Sequence, residues 1–122
     1  MRSFNLKTIL LAGIAVLLLN MFSPVYAATV TWGGGGSDNK WSNPVNWSGN
    51  TVPGTADVAT FNATSTKVCT IDTAVNVAGL SIAAGYTGTV TQIGSITVGS
   101  SNFSQAAGTF TGGSADITIQ HR

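Results

Sequence analysis

Four aspartates (Asp38, Asp57, Asp72, Asp116), one histidine (His121) and one cysteine (Cys69) are the only side chains of this 122-residue chain suited to proton transfer or metal binding, and there is no glutamate. Paired carboxylates at a set separation would serve glycoside hydrolysis. Asp57, Asp72 and Asp116, however, sit beside turn residues, where a short carboxylate accepts backbone N–H groups. His121 stands next to the last residue, with no neighbour to orient it as an acid or base. No catalytic residue is therefore expected. The run Gly33 to Asp38 fits the first six places of a calcium-binding nonapeptide, but Lys40 occupies the place of its apolar anchor and no second copy follows. The run reads as a flexible surface loop. It also lacks the Gly-Lys-Ser/Thr ending and the following helix of a phosphate cradle, so neither a metal nor a cofactor is expected.

The tryptophans carry more information. Trp32, Trp41 and Trp47 lie close together in a loop-rich segment. Exposed indoles so clustered would stack on sugar rings, which makes the three the candidate ligand-binding residues; buried ones would seal an open end of a β structure. Sealing is the favoured expectation. Cys69 has no partner thiol, so no internal disulfide forms, and its parity with Ile71 predicts burial. Asn46-Trp47-Ser48, Asn62-Ala63-Thr64 and Asn102-Phe103-Ser104 are formal glycosylation acceptors, and Asn76 and Asn102 are also candidates for hydrogen bonds between stacked turns.

These side chains need a scaffold, and the two ends of the chain are built differently. Residues 1–27 carry Arg2 and Lys7, then the apolar run Ile9 to Leu19, then Val25-Tyr26-Ala27, the pattern of a secretory signal peptide cleaved between Ala27 and Ala28. The run is too short for a spanning helix, so no membrane association is expected beyond the signal peptide. From Ala28 onward Lys40, Lys67 and Arg122 face four aspartates, a net charge of −1. Such a surface excludes an electrostatic nucleic-acid binder, which needs clustered Lys and Arg. Gly, Thr, Ser and Asn make 47 of these 95 residues, yet aromatic residues spread along the whole segment argue for order.

The hydrophobic period is two. Val30 and Trp32, Cys69 and Ile71, Val75 and Val77, Leu80 and Ile82, Ile96 and Val98, and Ile117 and Ile119 are i, i+2 pairs that each point to one face of a short strand. Gly94 to Val98 superposes on Ala115 to Ile119 with an offset of 21, and Val75 to Ile82 resembles an earlier copy. Short strands repeating near every twenty residues, with Gly or Asn corners, predict the coils of a β-solenoid. The expected organisation is a signal peptide over 1–27, a capping segment over 28–74 and the first solenoid coils over 75–122. The abrupt end after Ile119 predicts that more coils follow.

The stretches Val30 to Gly33, Asp38 to Trp47 and Val52 to Val58, followed by Gly108 to Ile119, resemble the N-terminal part of bacterial secreted β-strand-repeat proteins, similar to autotransporter passenger domains. The resemblance covers nearly all of residues 29–119. It implies an all-β fold, a right-handed parallel β-helix begun by a cap, and a secreted or cell-surface location. The expected function is a non-enzymatic structural or adhesive one. The alternatives are a carbohydrate-binding module using the three tryptophans and the N-terminal piece of a polysaccharide-degrading β-helix enzyme. Surface glycans, or self-association through an open solenoid end, are the partners this implies.

Overall fold

The computed structural model describes residues 26–120. Met1 to Val25, His121 and Arg122 lie outside the described residues, and with them the helix expected of a signal peptide and the lone histidine. Ala28, the expected first residue after cleavage, opens the first strand, β1 (Ala28–Thr31), and its N–H donates to the Ala56 carbonyl.

Alternating apolar and β-branched residues form nine further strands, arranged as three coils. The first coil holds β2 (Asp57–Phe61), β3 (Cys69–Ile71) and β4 (Val75–Val77). The second holds β5 (Gly79–Ile82), β6 (Thr89–Gln92) and β7 (Ile96–Val98), and the third β8 (Phe103–Gln105), β9 (Thr109–Thr111) and β10 (Ile117–Ile119). Each strand pairs in parallel with its counterpart one coil away, giving sheets ordered β1-β2-β5-β8, β3-β6-β9 and β4-β7-β10. This is a parallel β-helix. Residue 74 lies within its first coil.

The register explains the repeat. Val75, Ile96 and Ile117 are stacked partners, each 21 residues from the next. Elsewhere the third coil departs from that step, because Leu80 pairs with Phe103 and Val90 with Phe110. The two extra residues fall between β7 and β8, where Asn102 takes a positive φ of 65°, and the β8–β9 corner is correspondingly short.

Side chains of one parity form columns through the interior: Ala59-Leu80-Phe103, Cys69-Val90-Phe110, Val75-Ile96-Ile117 and Val77-Val98-Ile119. Their members in the first two coils are buried. A fully buried aliphatic side chain contributes about 1.5–3 kcal/mol, so the columns supply the driving force that disulfides provide in many small cysteine-rich domains. In the third coil Phe103 and Phe110 are only partly buried, and Ile117 and Ile119 are 44% and 42% exposed. They occupy inward positions with no further coil stacked upon them among the described residues.

The opposite parity makes polar ladders, mostly of hydroxyls, on the outside. Thr31-Thr60-Ser81-Ser104 runs up one sheet, Thr70-Thr91-Thr111 up the second and Asn76-Thr97-Thr118 up the third. Threonine suits both demands: its β-branch favours the pleat and its hydroxyl tolerates water.

Candidate functional site

At the N-terminal end a partial coil covers the first full one. β1 extends the first sheet, and Lys40 forms a parallel bridge with Thr70 on the second. Between and after these two contacts the chain folds into the loop that carries the tryptophans. All three indoles are buried, with Trp32 at 0%, Trp41 at 1% and Trp47 at 2% exposure. Trp47 packs edge-on against Trp32 with ring centroids 5.1 Å apart and against Trp41 at 4.6 Å. All three reach Phe61 of the first coil, at 5.6 to 6.1 Å, and Phe61 in turn meets Tyr86 at 5.3 Å. No indole face is open to a sugar ring, so stacking on one would require this plug to come apart.

Polar groups inside the cap are matched one for one. The Trp47 indole N–H donates to the Trp41 carbonyl at 2.8 Å. The Trp32 indole N–H and the Tyr86 hydroxyl both donate to the Lys67 carbonyl, at 3.1 and 2.7 Å, which fastens the β2–β3 corner to the plug. Asn46 is fully buried and does the most: its amide nitrogen donates to the carbonyls of Asp38 and Lys40 and to the Asp38 carboxylate, while its oxygen accepts the Gly36 N–H. An unpaired buried amide is costly, and none of the buried side-chain polar atoms among the described residues lacks a partner.

The glycine run is thereby pinned rather than left as a free surface loop. Lys67 Nζ donates to the carbonyls of Gly34 and Gly36, and Gly34 is buried at a φ of 59°. A Cβ there would lie 2.7 Å from the Lys67 side chain, so glycine is required both for the left-handed backbone and for the close approach.

The carboxylates are structural acceptors. Asp57 accepts the Gly54 N–H at 2.8 Å across its turn. Asp72 reaches outside its own corner, accepting the Ser42 hydroxyl and backbone N–H and so tying the cap to the first coil. Asp116 differs from expectation: its backbone carbonyl, not its side chain, accepts the Ile96 N–H. The Asn43 amide, followed by the Lys40 backbone N–H, holds the Asp38 carboxyl below its ordinary value. Burial opposes ionisation of Asp72, but the two Ser42 donors outweigh it and its value too is lowered. Cys69 is buried, and burial reinforced by the Asp72 charge pushes its thiol far up. Burial, with a smaller effect of Cys69, pushes the Tyr86 phenol to about 12. These shifts favour an inert thiol and ionised turn carboxylates.

Two side chains that matter escaped the sequence reading. Asn46 reads in the sequence as a glycosylation acceptor and not as a buried anchor, yet its amide is fully enclosed, which closes that site in the folded chain. Gln92 occupies the inward place above Ile71, at 3% exposure. Its amide donates to the carbonyls of Gly94, Ala115 and Asp116 and accepts the Gly113 N–H, locking the β9–β10 corner to the coil below. A polar residue at apolar parity in Val90-Thr91-Gln92 was the available signal. Asn76 and Asn102, candidates for bonds between coils, make no side-chain hydrogen bond among the described residues, because Asn76 lies on the outer face and Asn102 at a left-handed corner.

No helix among the described residues is long and apolar enough to cross a membrane, and no group of three or more His, Cys, Asp or Glu side chains gathers there. No family model, curated protein or solved structure matches the chain.

Proposed function

We propose that this chain is a non-enzymatic, exported β-solenoid segment with a structural or adhesive role at a bacterial cell surface, of the autotransporter-passenger type. The observation that carries this reading is the use to which the polar groups are put. Asn46, Gln92, Asp38, Asp57, Asp72 and Lys67 hold turns and corners, and the outward faces of the strands present mainly repeating hydroxyl ladders. A surface of that kind serves presentation, where weak polar contacts sum over many coils. The exported chain should bind or coat surfaces without chemical turnover. Incubation with a panel of polysaccharides, followed by chromatography of the products, tests this; release of oligosaccharides would defeat the non-enzymatic reading and favour the polysaccharide-degrading alternative.

A second reading rests on the open third coil. β8, β9 and β10 are each the last strand of their sheet, and Phe103, Phe110, Ile117 and Ile119 line the face between them. Unpaired edges with an apolar face are templates for further strands, so self-association through this end is proposed as one route to surface assembly.

A further inference from the structure

We infer that the corner between the third and first sheets is a binding groove for a short, uncharged saccharide, recognised by Thr55, Asn76, Ser100 and Gln120. This deepens the adhesive reading above and rests on it. The groove follows from one column of the repeat. Because Val77, Val98 and Ile119 are stacked, the next residues Ala78, Gly99 and Gln120 form the corner column. Its first two members are too small to fill the corner, and Gln120 lines it from the third coil. Thr55, from the loop before β2, closes the upper end, and Asn76 and Ser100 flank the floor of Val77, Ala78 and Gly99. The cavity measures about 320 Å³, the small end of the range for ligand sites. Coils stack about 4.8 Å apart, so three of them give the groove a length of about 10 Å.

The lining selects the ligand chemistry. Among the described residues no Lys, Arg or His lines the groove to attract an anion, and no carboxylate lines it to hold a cation. Apolar surface is limited to Val77 and Ala78, too little for a hydrophobic side chain. Backbone groups are already committed: Ala78, Gly99 and Gln120 donate their N–H groups to the carbonyls of Asp57, Val77 and Val98. Those three N–H groups are therefore not available to an extended peptide lying on the groove floor. The four polar side chains make no hydrogen bond within the protein among the described residues, so their donors and acceptors are free for a ligand. Two amides and two hydroxyls, each able to donate and accept, around a small apolar floor match the hydroxyls and the C–H face of a neutral sugar.

The test uses the full chain exported from a secreting host, applied to an array of neutral glucan, mannan, galactan and N-acetylglucosamine oligomers, with sialylated, sulfated and peptide arrays beside it. Titration of the best neutral ligand follows, against the double variant Asn76→Ala, Gln120→Ala and the control Thr91→Ala, Thr111→Ala on the second sheet. Asn76 and Gln120 are exposed, so the double variant should keep its circular dichroism and thermal melt. Binding of a neutral oligomer that weakens about tenfold in the groove variant, as loss of two hydrogen bonds implies, and is unchanged in the control supports the proposal. It is overturned by an array without a neutral ligand, by preference for charged glycans or peptides, or by equal affinity of the groove variant. A chain that binds no saccharide and cleaves none removes the groove and leaves the scaffold. Polysaccharide cleavage with groove-dependent binding does the reverse.

Discussion

Trp47→Ala is the most direct probe of the plug. The indole is 2% exposed and touches Trp32, Trp41 and Phe61, so its removal opens a cavity that the rigid strands beneath cannot collapse to fill. Truncation of a buried large aromatic costs about 3–5 kcal/mol. The Trp41 carbonyl also loses its donor, which brings a further cost of about 1–3 kcal/mol unless water enters. Against a total stability of about 5–15 kcal/mol for a single domain, this is from about a quarter to all of what holds the chain folded. Trp47→Phe keeps most of the packing and loses only the N–H and part of the ring, so it should cost about 1–3 kcal/mol. Urea unfolding of the exported chain, followed by tryptophan fluorescence and by far-ultraviolet circular dichroism, measures both. Coils contact only their neighbours, so fluorescence of the remaining indoles should be lost at lower urea than strand signal in the Ala variant. A Trp47→Ala protein within about 1 kcal/mol of the parent, with the same urea dependence, would refute the plug. Loss of sugar binding without loss of stability would instead favour the tryptophan-based carbohydrate module.

The raised Cys69 and Tyr86 values mean that the fold stabilises their neutral forms. This stability is complete below the unfolded thiol value of about 8.5 and declines as pH rises past it; melts from pH 7 to 11 should fall accordingly, and Cys69→Ala should delay the fall towards the phenol's range. Asp38 and Asp72 act in the opposite direction, their contribution being present above about pH 3.9 and lost as pH falls through their lowered folded values, which acid melts of Asp72→Asn against parent will show. At Gly94 a Cβ would run into the Thr73 carbonyl, so Gly94→Ala should cost about 1–3 kcal/mol in urea titration, and a neutral effect would contradict the tight β6–β7 corner. Ile117→Lys places a charge on the open face, and light scattering should show less self-association than the parent; an unchanged size would remove that reading of the end. Sequencing of exported material should begin at Ala28, and a retained Met1 would refute cleavage at Ala27.

Much of the architecture was legible in the chain because a solenoid is nearly one-dimensional. Each strand meets the strand one period away, so the pairs Val75 and Val77, Ile96 and Val98, and Ile117 and Ile119 announced both the inward face and the stacking register at 21 residues. Burial of Cys69 and of the tryptophans followed from parity and from the need to seal an end. Where the coils begin was not legible, since β2 and β3 are separated by a long corner from Asn62 to Val68 that hides their period. The decisive polar contacts were hidden for a different reason. Asn46 meets Asp38, and Gln92 meets Gly113, only after loops of unequal length have closed, and loop closure is set by three-dimensional packing rather than by any periodic pattern. The corner groove belongs to the same class. Ala78, Gly99 and Gln120 are unremarkable neighbours of three strands in the sequence, and only their superposition in one column, with Thr55 brought over them from another loop, makes a cavity.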